Sequence, residues 1–174
     1  RVFRVEENAA RLQSTCRGIL MPEVPTELFC EMVKKVVKLN ERFIPPYESG
    51  AALYIRPLLI GTGAQVGVHP ADEYLFLIFV TPVGPYFKGG AKPIAIKVSD
   101  YDRAAPHGTG NIKAGLNYAM SLHAIMEAHR EGFAENMYLD AATRTKVEET
   151  GGANFIFVTK DGKLVTPKSD SILP

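Results

Sequence analysis

The chain has 174 residues and a formal net charge of +1, from 20 basic and 19 acidic side chains. This balance creates no strong field for a polyanion, so we expect neither a nucleic acid nor an acidic membrane surface as a partner. Apolar residues make up 46% and charged residues 22%, a composition that excludes wholesale disorder and allows a hydrophobic core. The longest apolar run covers only residues 74–80, whereas a membrane span needs about 20 residues.

Cysteines and histidines give no metal-site pattern. Cys16 and Cys30 are too few for a disulfide framework, and their spacing fits no pair of zinc ligands. The four histidines stand at no ligand spacing from each other or from the cysteines. We therefore expect no metal and a reducing, cytoplasmic setting. The chain begins at Arg1 without a methionine or a signal peptide, and we expect it to be incomplete at both ends.

The first half of the chain predicts two helices followed by two strands. Residues 8–20 and 26–43 repeat apolar side chains at helical spacing. Residues 53–60 and 74–80 are rich in aromatic and branched apolar residues, as strands are, and a glycine-containing segment joins them. Because these strands are too apolar to leave one face in water, we expect them to be buried on both sides or against the two helices.

The composition changes at a Pro/Gly-rich stretch, TPVGPYFKGG, over residues 81–90. Proline and glycine at this density are typical of a linker between domains. We therefore predict a two-lobed chain of the α/β class, more narrowly α+β. The first lobe covers residues 1–83, the linker residues 84–90 and the second lobe residues 91–174.

The second lobe is predicted to contain a strand beginning at residues 93–98 and a long helix over residues 114–131. We expect the apolar face of this helix to carry Tyr118, Leu122, Ile125 and His129. Short strands are expected at residues 137–139, 146–149, 154–158 and 164–166. An Asp-Gly pair is expected to turn the chain between the last two.

A lysine stands directly before the long helix, behind a turn of small residues. The backbone of Lys113 is therefore held while its amine projects outward. A lysine amine is a useful nucleophile when it is neutral, a state that desolvation or nearby cations favour. The alternative is that Lys113 is one of many solvated lysines that precede a helix, and spacing alone favours that alternative.

Four segments together resemble a known family. GTGNIKAGLNYAMSLHA contains the lysine, and ENAARL, ALYIRPLLIGT and VEETGGANFIFV agree in order and approximate spacing. The pattern is similar to that of the branched-chain amino acid aminotransferases, which are fold-type IV pyridoxal phosphate enzymes. The resemblance runs nearly end to end and implies the two-lobed D-amino-acid-aminotransferase-like fold.

The resemblance implies five cofactor-binding residues. Lys113 would bind pyridoxal 5'-phosphate covalently and move the proton between the substrate Cα and the cofactor C4′. Glu149 would meet the pyridine nitrogen, Tyr118 the 3-oxygen and Arg11 the phosphate, with Arg103 also near the cofactor. Without the resemblance, Glu149 is interpreted as a solvated strand-end acid like Glu148 beside it, Tyr118 as an amphipathic-helix aromatic and Arg11 as a surface residue.

Substrate-binding residues are implied in the other lobe. Tyr54 and Arg56 stand two apart on a strand and so face one side, where the family holds the substrate carboxylate and side chain. An arginine in an apolar strand needs a partner, and a protein carboxylate would serve as well as a substrate. Tyr86 resembles the interdomain tyrosine that covers the substrate. Val66 and Val68 resemble a loop that reaches the neighbouring subunit's pocket, which implies a homodimer.

The implied activity is transamination of leucine, isoleucine or valine with 2-oxoglutarate, giving branched 2-oxo acids and glutamate. The same fold serves D-amino-acid transaminases and aminodeoxychorismate lyases, so these remain alternatives. A further alternative is that the 174-residue chain is a catalytically incompetent piece of the aminotransferase. We expect this piece alone to be inactive, because the family's phosphate-binding turn follows a motif like SILP.

Overall fold

The computed structural model describes residues 2–85 and 92–173, and it divides the chain into two compact units, Arg1–Lys92 and Pro93–Pro174. Residues 86–91, which include most of the expected linker and Tyr86, lie outside the described residues. No described helix is both long enough and apolar enough to span a membrane.

Two helices and a β-hairpin form the first unit. Its elements are α1 (Val5–Gly18), α2 (Thr26–Leu39), short 3-10 helices at Glu41–Phe43 and Tyr47–Ser49, β1 (Ala52–Thr62) and β2 (Glu73–Val83). The strands pair antiparallel along their whole length, from Ala52 opposite Val83 to Thr62 opposite Glu73. α2 ends earlier than predicted because the chain tightens into the 3-10 turn after Asn40.

One face of the hairpin packs against the helices. The buried cluster contains Ala9, Val24, Phe29 and Val33, and it is joined by Ile55, Leu59, Phe76 and Ile78 from the hairpin. Phe29 stacks on Phe76 with ring centroids 6.0 Å apart. The opposite face keeps large side chains exposed, namely Tyr54, Leu58, Ile60, Leu75 and Phe79. Period-two alternation therefore separates a covered face from an exposed apolar one.

The second unit is built around a three-stranded sheet. β3 (Ile96–Val98) pairs parallel to β4 (Glu135–Leu139), and β5 (Val147–Thr150) pairs antiparallel to β4. Parallel pairing needs a crossover, which α3 (Gly115–Arg130) supplies while packing on β4. A small hairpin, β6 (Phe157–Val158) with β7 (Leu164–Val165), follows.

The buried face of α3 differs from the predicted one. The helix buries Asn117, Ala124 and Ala128, whereas Tyr118 and Leu122 remain exposed. Each buried residue stands one position before a predicted one, and a step of one residue rotates the face of a helix by about 100°. Alanine lets the helix lie close to the strand, so small side chains determine which face is buried.

Candidate functional site

Lys113 and Tyr118 meet at the start of α3. The Nζ of Lys113 donates a hydrogen bond to the Tyr118 hydroxyl over 2.7 Å and lies 5.1 Å from the centroid of the Tyr118 ring. Both side chains are on the surface of the second unit. The helix start therefore presents an amine and a phenol side by side.

Arg103 and Glu149 form a buried ion pair in the same unit. Arg103 Nε lies 3.3 Å from Glu149 Oε1, and only 4% and 5% of the two side chains are exposed. Neither of these atoms has a hydrogen-bond partner among the described residues. The Arg103 guanidinium also lies 5.5 Å from the Tyr118 ring centroid. Tyr118 thus has both Lys113 and Arg103 close to its ring.

Burial dominates the electrostatics of Glu149. Desolvation raises the pKa of Glu149 to about 7, while the positive charge of Arg103 lowers it, the negative charge of Glu148 raises it and Lys113 lowers it. A cationic donor at Oε1 would supply the missing hydrogen bond and restore the ionised form. The carboxyl is therefore suited to a positively charged hydrogen-bond donor.

Glu148 is held separately from Glu149. Its Oε1 accepts hydrogen bonds from the hydroxyls of Ser169 and Ser171, both over 2.6 Å, and the residue is buried. The interpretation of Glu148 and Glu149 as solvated strand-end acids is therefore wrong. Neighbouring strand residues point to opposite faces, so each carboxyl has its own environment.

Tyr54 and Arg56 lie together on the exposed face of the first unit's hairpin. The Arg56 guanidinium stands 5.0 Å from the Tyr54 ring centroid, so the predicted shared side is confirmed. Arg56 is exposed, and it has no salt bridge within the part of the chain that the structure describes. The expectation that burial forces a partner on Arg56 is wrong, because its charge stays in water.

The other predicted residues of the first unit lie outside β1, on α1 and in the loop after β1. Arg11 is half-buried on α1 and donates to Asn8 Oδ1 over 2.9 Å. Val66 and Val68 are fully exposed between β1 and β2. The four residues Lys113, Tyr118, Arg103 and Glu149 are thus brought together in the second unit, and the predicted substrate residues that are described belong to the first.

Sequence reasoning missed Asn117. This residue is buried and its side chain bonds the turn that ends at Lys113. The sequence did contain a sign of its burial. Asn117 stands seven residues before Ala124 and eleven before Ala128, and this spacing places all three on one helix face. Among the described residues, no three His, Cys, Asp or Glu side chains group closely enough to hold a metal ion.

A family model described as amino-transferase class IV matches residues 1–174. The chain is 53% identical over 178 residues to a branched-chain-amino-acid aminotransferase of Haemophilus influenzae, with 99% of this chain and 52% of that protein covered. It is 50% identical over 175 residues to one of Helicobacter pylori, with the same coverage. The chain spans about half the length of the curated relatives it matches.

Two solved structures of branched-chain amino acid aminotransferases are also similar to this chain. The Escherichia coli branched-chain amino acid aminotransferase has a TM-score of 0.77 at 30% identity, covering 99% of this chain and 54% of its own. The Thermobaculum terrenum enzyme in its PLP form has a TM-score of 0.74 at 28% identity, covering 98% of this chain and 53% of its own.

Proposed function

The chain belongs to the class IV aminotransferase family, and from this premise we propose that the whole protein is a branched-chain-amino-acid transaminase. It exchanges the amino group of leucine, isoleucine or valine with 2-oxoglutarate. The observation that carries the proposal is the cluster of Lys113, Tyr118, Arg103 and Glu149, in a chain up to 53% identical to enzymes with that name.

The cluster fits pyridoxal 5'-phosphate. Glu149 Oε1 and Arg103 Nε are buried without hydrogen-bond partners among the described residues, as expected where a polar ligand completes the site. Lys113 would hold the cofactor covalently, Glu149 would hold its ring nitrogen and Tyr118 its 3-oxygen. Arg11 is the candidate for its phosphate, and Arg103 would lie near the cofactor beside Glu149. When bound, the cofactor acts as an electron sink for the substrate Cα.

The side chains of the cluster would have separate roles in proton transfer. Once the substrate amino group has displaced Lys113 from the cofactor, the freed Lys113 amine would move the proton between the substrate Cα and the cofactor C4′. The Tyr118 hydroxyl, 2.7 Å from Nζ, orients that amine. Arg103 beside Glu149 favours the ionised carboxylate. That carboxylate would keep a proton on the cofactor's ring nitrogen.

Substrate binding is assigned to the first unit's hairpin. Tyr54 and Arg56 present an aromatic ring and a guanidinium on one exposed apolar face, which suits a branched side chain and a carboxylate. Tyr86 would cover the substrate. The exposed valines 66 and 68 would reach the pocket of the neighbouring subunit in a homodimer.

The two units correspond, in this proposal, to the small lobe and to the first half of the cofactor-binding lobe. The boundary at Lys92 and Pro93 lies next to the Pro/Gly-rich stretch that the sequence assigns to a linker. Cytoplasmic location belongs to the same proposal, since Cys16 and Cys30 are free thiols, as is usual in a reducing compartment.

The choice of substrate is tested with the whole protein and added pyridoxal 5'-phosphate. We expect 2-oxoglutarate-dependent formation of glutamate from L-leucine, L-isoleucine and L-valine. The matched comparison is D-alanine under the same conditions, where we expect no turnover. Turnover of D-alanine without turnover of L-leucine would assign the protein to the D-amino-acid branch of the fold.

A further inference from the structure

Asn117 is a buried amide that binds the turn before Lys113 at three points. Its Nδ2 donates to the carbonyl of Thr109 over 2.6 Å and to the carbonyl of Ile112 over 2.7 Å. Its Oδ1 accepts from the Thr109 hydroxyl over 2.9 Å. Only 3% of the residue is exposed, so water cannot replace these bonds.

The turn needs this amide because its own backbone bonds are few. The N–H of Ile112 donates to the Thr109 carbonyl, and the N–H of Ala114 donates to the Ile112 carbonyl, each over 2.9 Å. Asn117 adds a second donor to each of these carbonyls. Only an amide of this length supplies two donors and one acceptor here, since a carboxylate would face both carbonyls without a proton.

Asn117 also joins the lysine turn to the buried ion pair. Its backbone carbonyl accepts a hydrogen bond from Arg103 Nη1 over 3.1 Å. The next residue is Tyr118, whose hydroxyl accepts from Lys113 Nζ. One residue at the start of α3 therefore contacts the segments that carry Lys113 and Arg103 and adjoins Tyr118.

We propose that Asn117 is a positioning residue that fixes the Lys113 amine relative to Tyr118 and the Arg103–Glu149 pair. The inference rests on the proposed function, because positioning matters only if the amine holds the cofactor and moves the proton. A displacement of the amine by about 1 Å is enough to slow such a step by about 100-fold.

Two variants test the proposal in the whole protein. Asn117→Ala removes all three side-chain bonds, and Thr109→Val removes only the hydroxyl donor while keeping the side-chain shape. The matched control is Asn136→Ala, which deletes an equally buried amide of the same unit that has no hydrogen-bond partner among the described residues. Thr109→Val also serves if Asn117→Ala does not fold.

The first readout is hydrogen exchange of the cofactor-free protein. We expect the amides of residues 109–114 to exchange about tenfold faster in Asn117→Ala, and to a smaller extent in Thr109→Val, because opening the turn becomes easier. Asn136→Ala should leave this segment unchanged. Unchanged exchange in both turn variants would overturn the proposal whether or not the cofactor binds.

The second readout is the activity and the visible absorbance of the protein with bound pyridoxal 5'-phosphate. We expect kcat for L-leucine to fall about 10- to 100-fold with KM changed less than about threefold, and the pH midpoint of the cofactor's visible band to move. A folded variant with the wild-type midpoint and wild-type kcat per bound cofactor would overturn the inference and leave the proposed function standing. A wild type without a visible band would instead defeat the proposed function, while hydrogen exchange still decides whether Asn117 holds the turn.

Discussion

Glu149 and Arg103 form an ion pair that the described residues leave incomplete. The contact is 3.3 Å long, yet Nε and Oε1 lack hydrogen-bond partners in the described part of the chain. Buried charges are stable only when they are paired and hydrogen-bonded, and breaking such a pair costs about 3–5 kcal/mol. Leaving Arg103 Nε and Glu149 Oε1 buried without hydrogen bonds destabilises the folded chain, as is expected at a site where a ligand supplies those bonds.

The pH dependence of stability provides a test at Glu149. Burial raises its pKa from 4.5 to about 7, so the folded protein binds more protons than the unfolded chain between these values. The stability that this group contributes is present in full below pH 4.5 and is lost as the pH rises through about 7. In the cofactor-free wild type, the urea midpoint should therefore fall as the pH rises from 4.5 to about 7. We expect this fall to be smaller in Glu149→Gln. Glu6→Gln, an exposed control, should show the same change of urea midpoint with pH as the wild type. The same change in Glu149→Gln would contradict the raised pKa of Glu149.

Tyr118→Phe tests the phenol without removing its ring. The hydroxyl accepts the 2.7 Å bond from Lys113 Nζ, and the ring remains beside Arg103. A hydrogen bond to a charged group contributes about 1.5–3 kcal/mol, so we expect kcat to fall by about 10- to 100-fold. Thermal unfolding should change little, because Tyr118 is exposed. Unchanged kcat in steady-state assays with L-leucine would remove Tyr118 from the site.

The element that carries the site is the glycine-rich turn before α3. At Gly110 the turn lies directly against Ser171, so a Cβ there would collide with the Ser171 carbonyl and with the Cβ of Ala104. Ser171 is itself fixed through its hydroxyl to Glu148. The segment near the end of the chain therefore supports the turn that positions Lys113.

Gly110→Ala should destabilise the second unit. Overpacking costs about 1–3 kcal/mol when the contacted atoms are backbone and cannot move away, and we expect a corresponding fall in the free energy of unfolding. Gly115→Ala is the matched control, because a Cβ there meets nothing within 4 Å and alanine favours a helix. Urea unfolding of both variants gives the comparison. Equal stability of the two would show that the turn does not depend on this close approach.

Most of the elements were predictable from the sequence, whereas several side-chain environments were not. Helical spacing of apolar residues identified α1 and α2, and continuous runs of aromatic and branched apolar residues identified β1 and β2. The face of α3 was mispredicted because hydrophobicity pointed to Leu122 while close packing selected Ala124 and Ala128. Asn117 was missed because a polar residue in a helix does not show which carbonyls it binds. Burial of Glu148 depends on serines more than 20 residues away in sequence, which local pattern does not reveal.

At the scale of the molecule, one exposed surface is the hairpin face that turns away from the helices of the first unit. It combines large apolar side chains with Arg56 and Tyr54. Contiguous exposed apolar surface of this kind marks a binding site or an association surface. We expect the 174-residue chain by itself to self-associate through it, and sedimentation of Leu58→Ser should show less association than the wild-type chain. Equal association would place the contact elsewhere.

The proposed reach of Val66 and Val68 into a neighbouring subunit's substrate pocket is tested by replacing both valines with serine. Both valines are fully exposed in the single chain, so their replacement should not disturb the folding of that chain. If they reach the partner's pocket, loss of their buried methyl groups should raise KM for L-leucine by about tenfold. An unchanged KM in the whole protein would show that these valines take no part in substrate binding.

Covalent capture of the cofactor at Lys113 is the most direct test of the central claim. The whole protein is incubated with pyridoxal 5'-phosphate, reduced with borohydride and mapped by peptide mass spectrometry, with Lys113→Ala and the exposed control Lys160→Ala in parallel. We predict one modified lysine, Lys113, in the wild type and in Lys160→Ala, and no stoichiometric modification in Lys113→Ala. Stoichiometric modification of a different lysine, or full modification of Lys113→Ala, would contradict the assignment of this site.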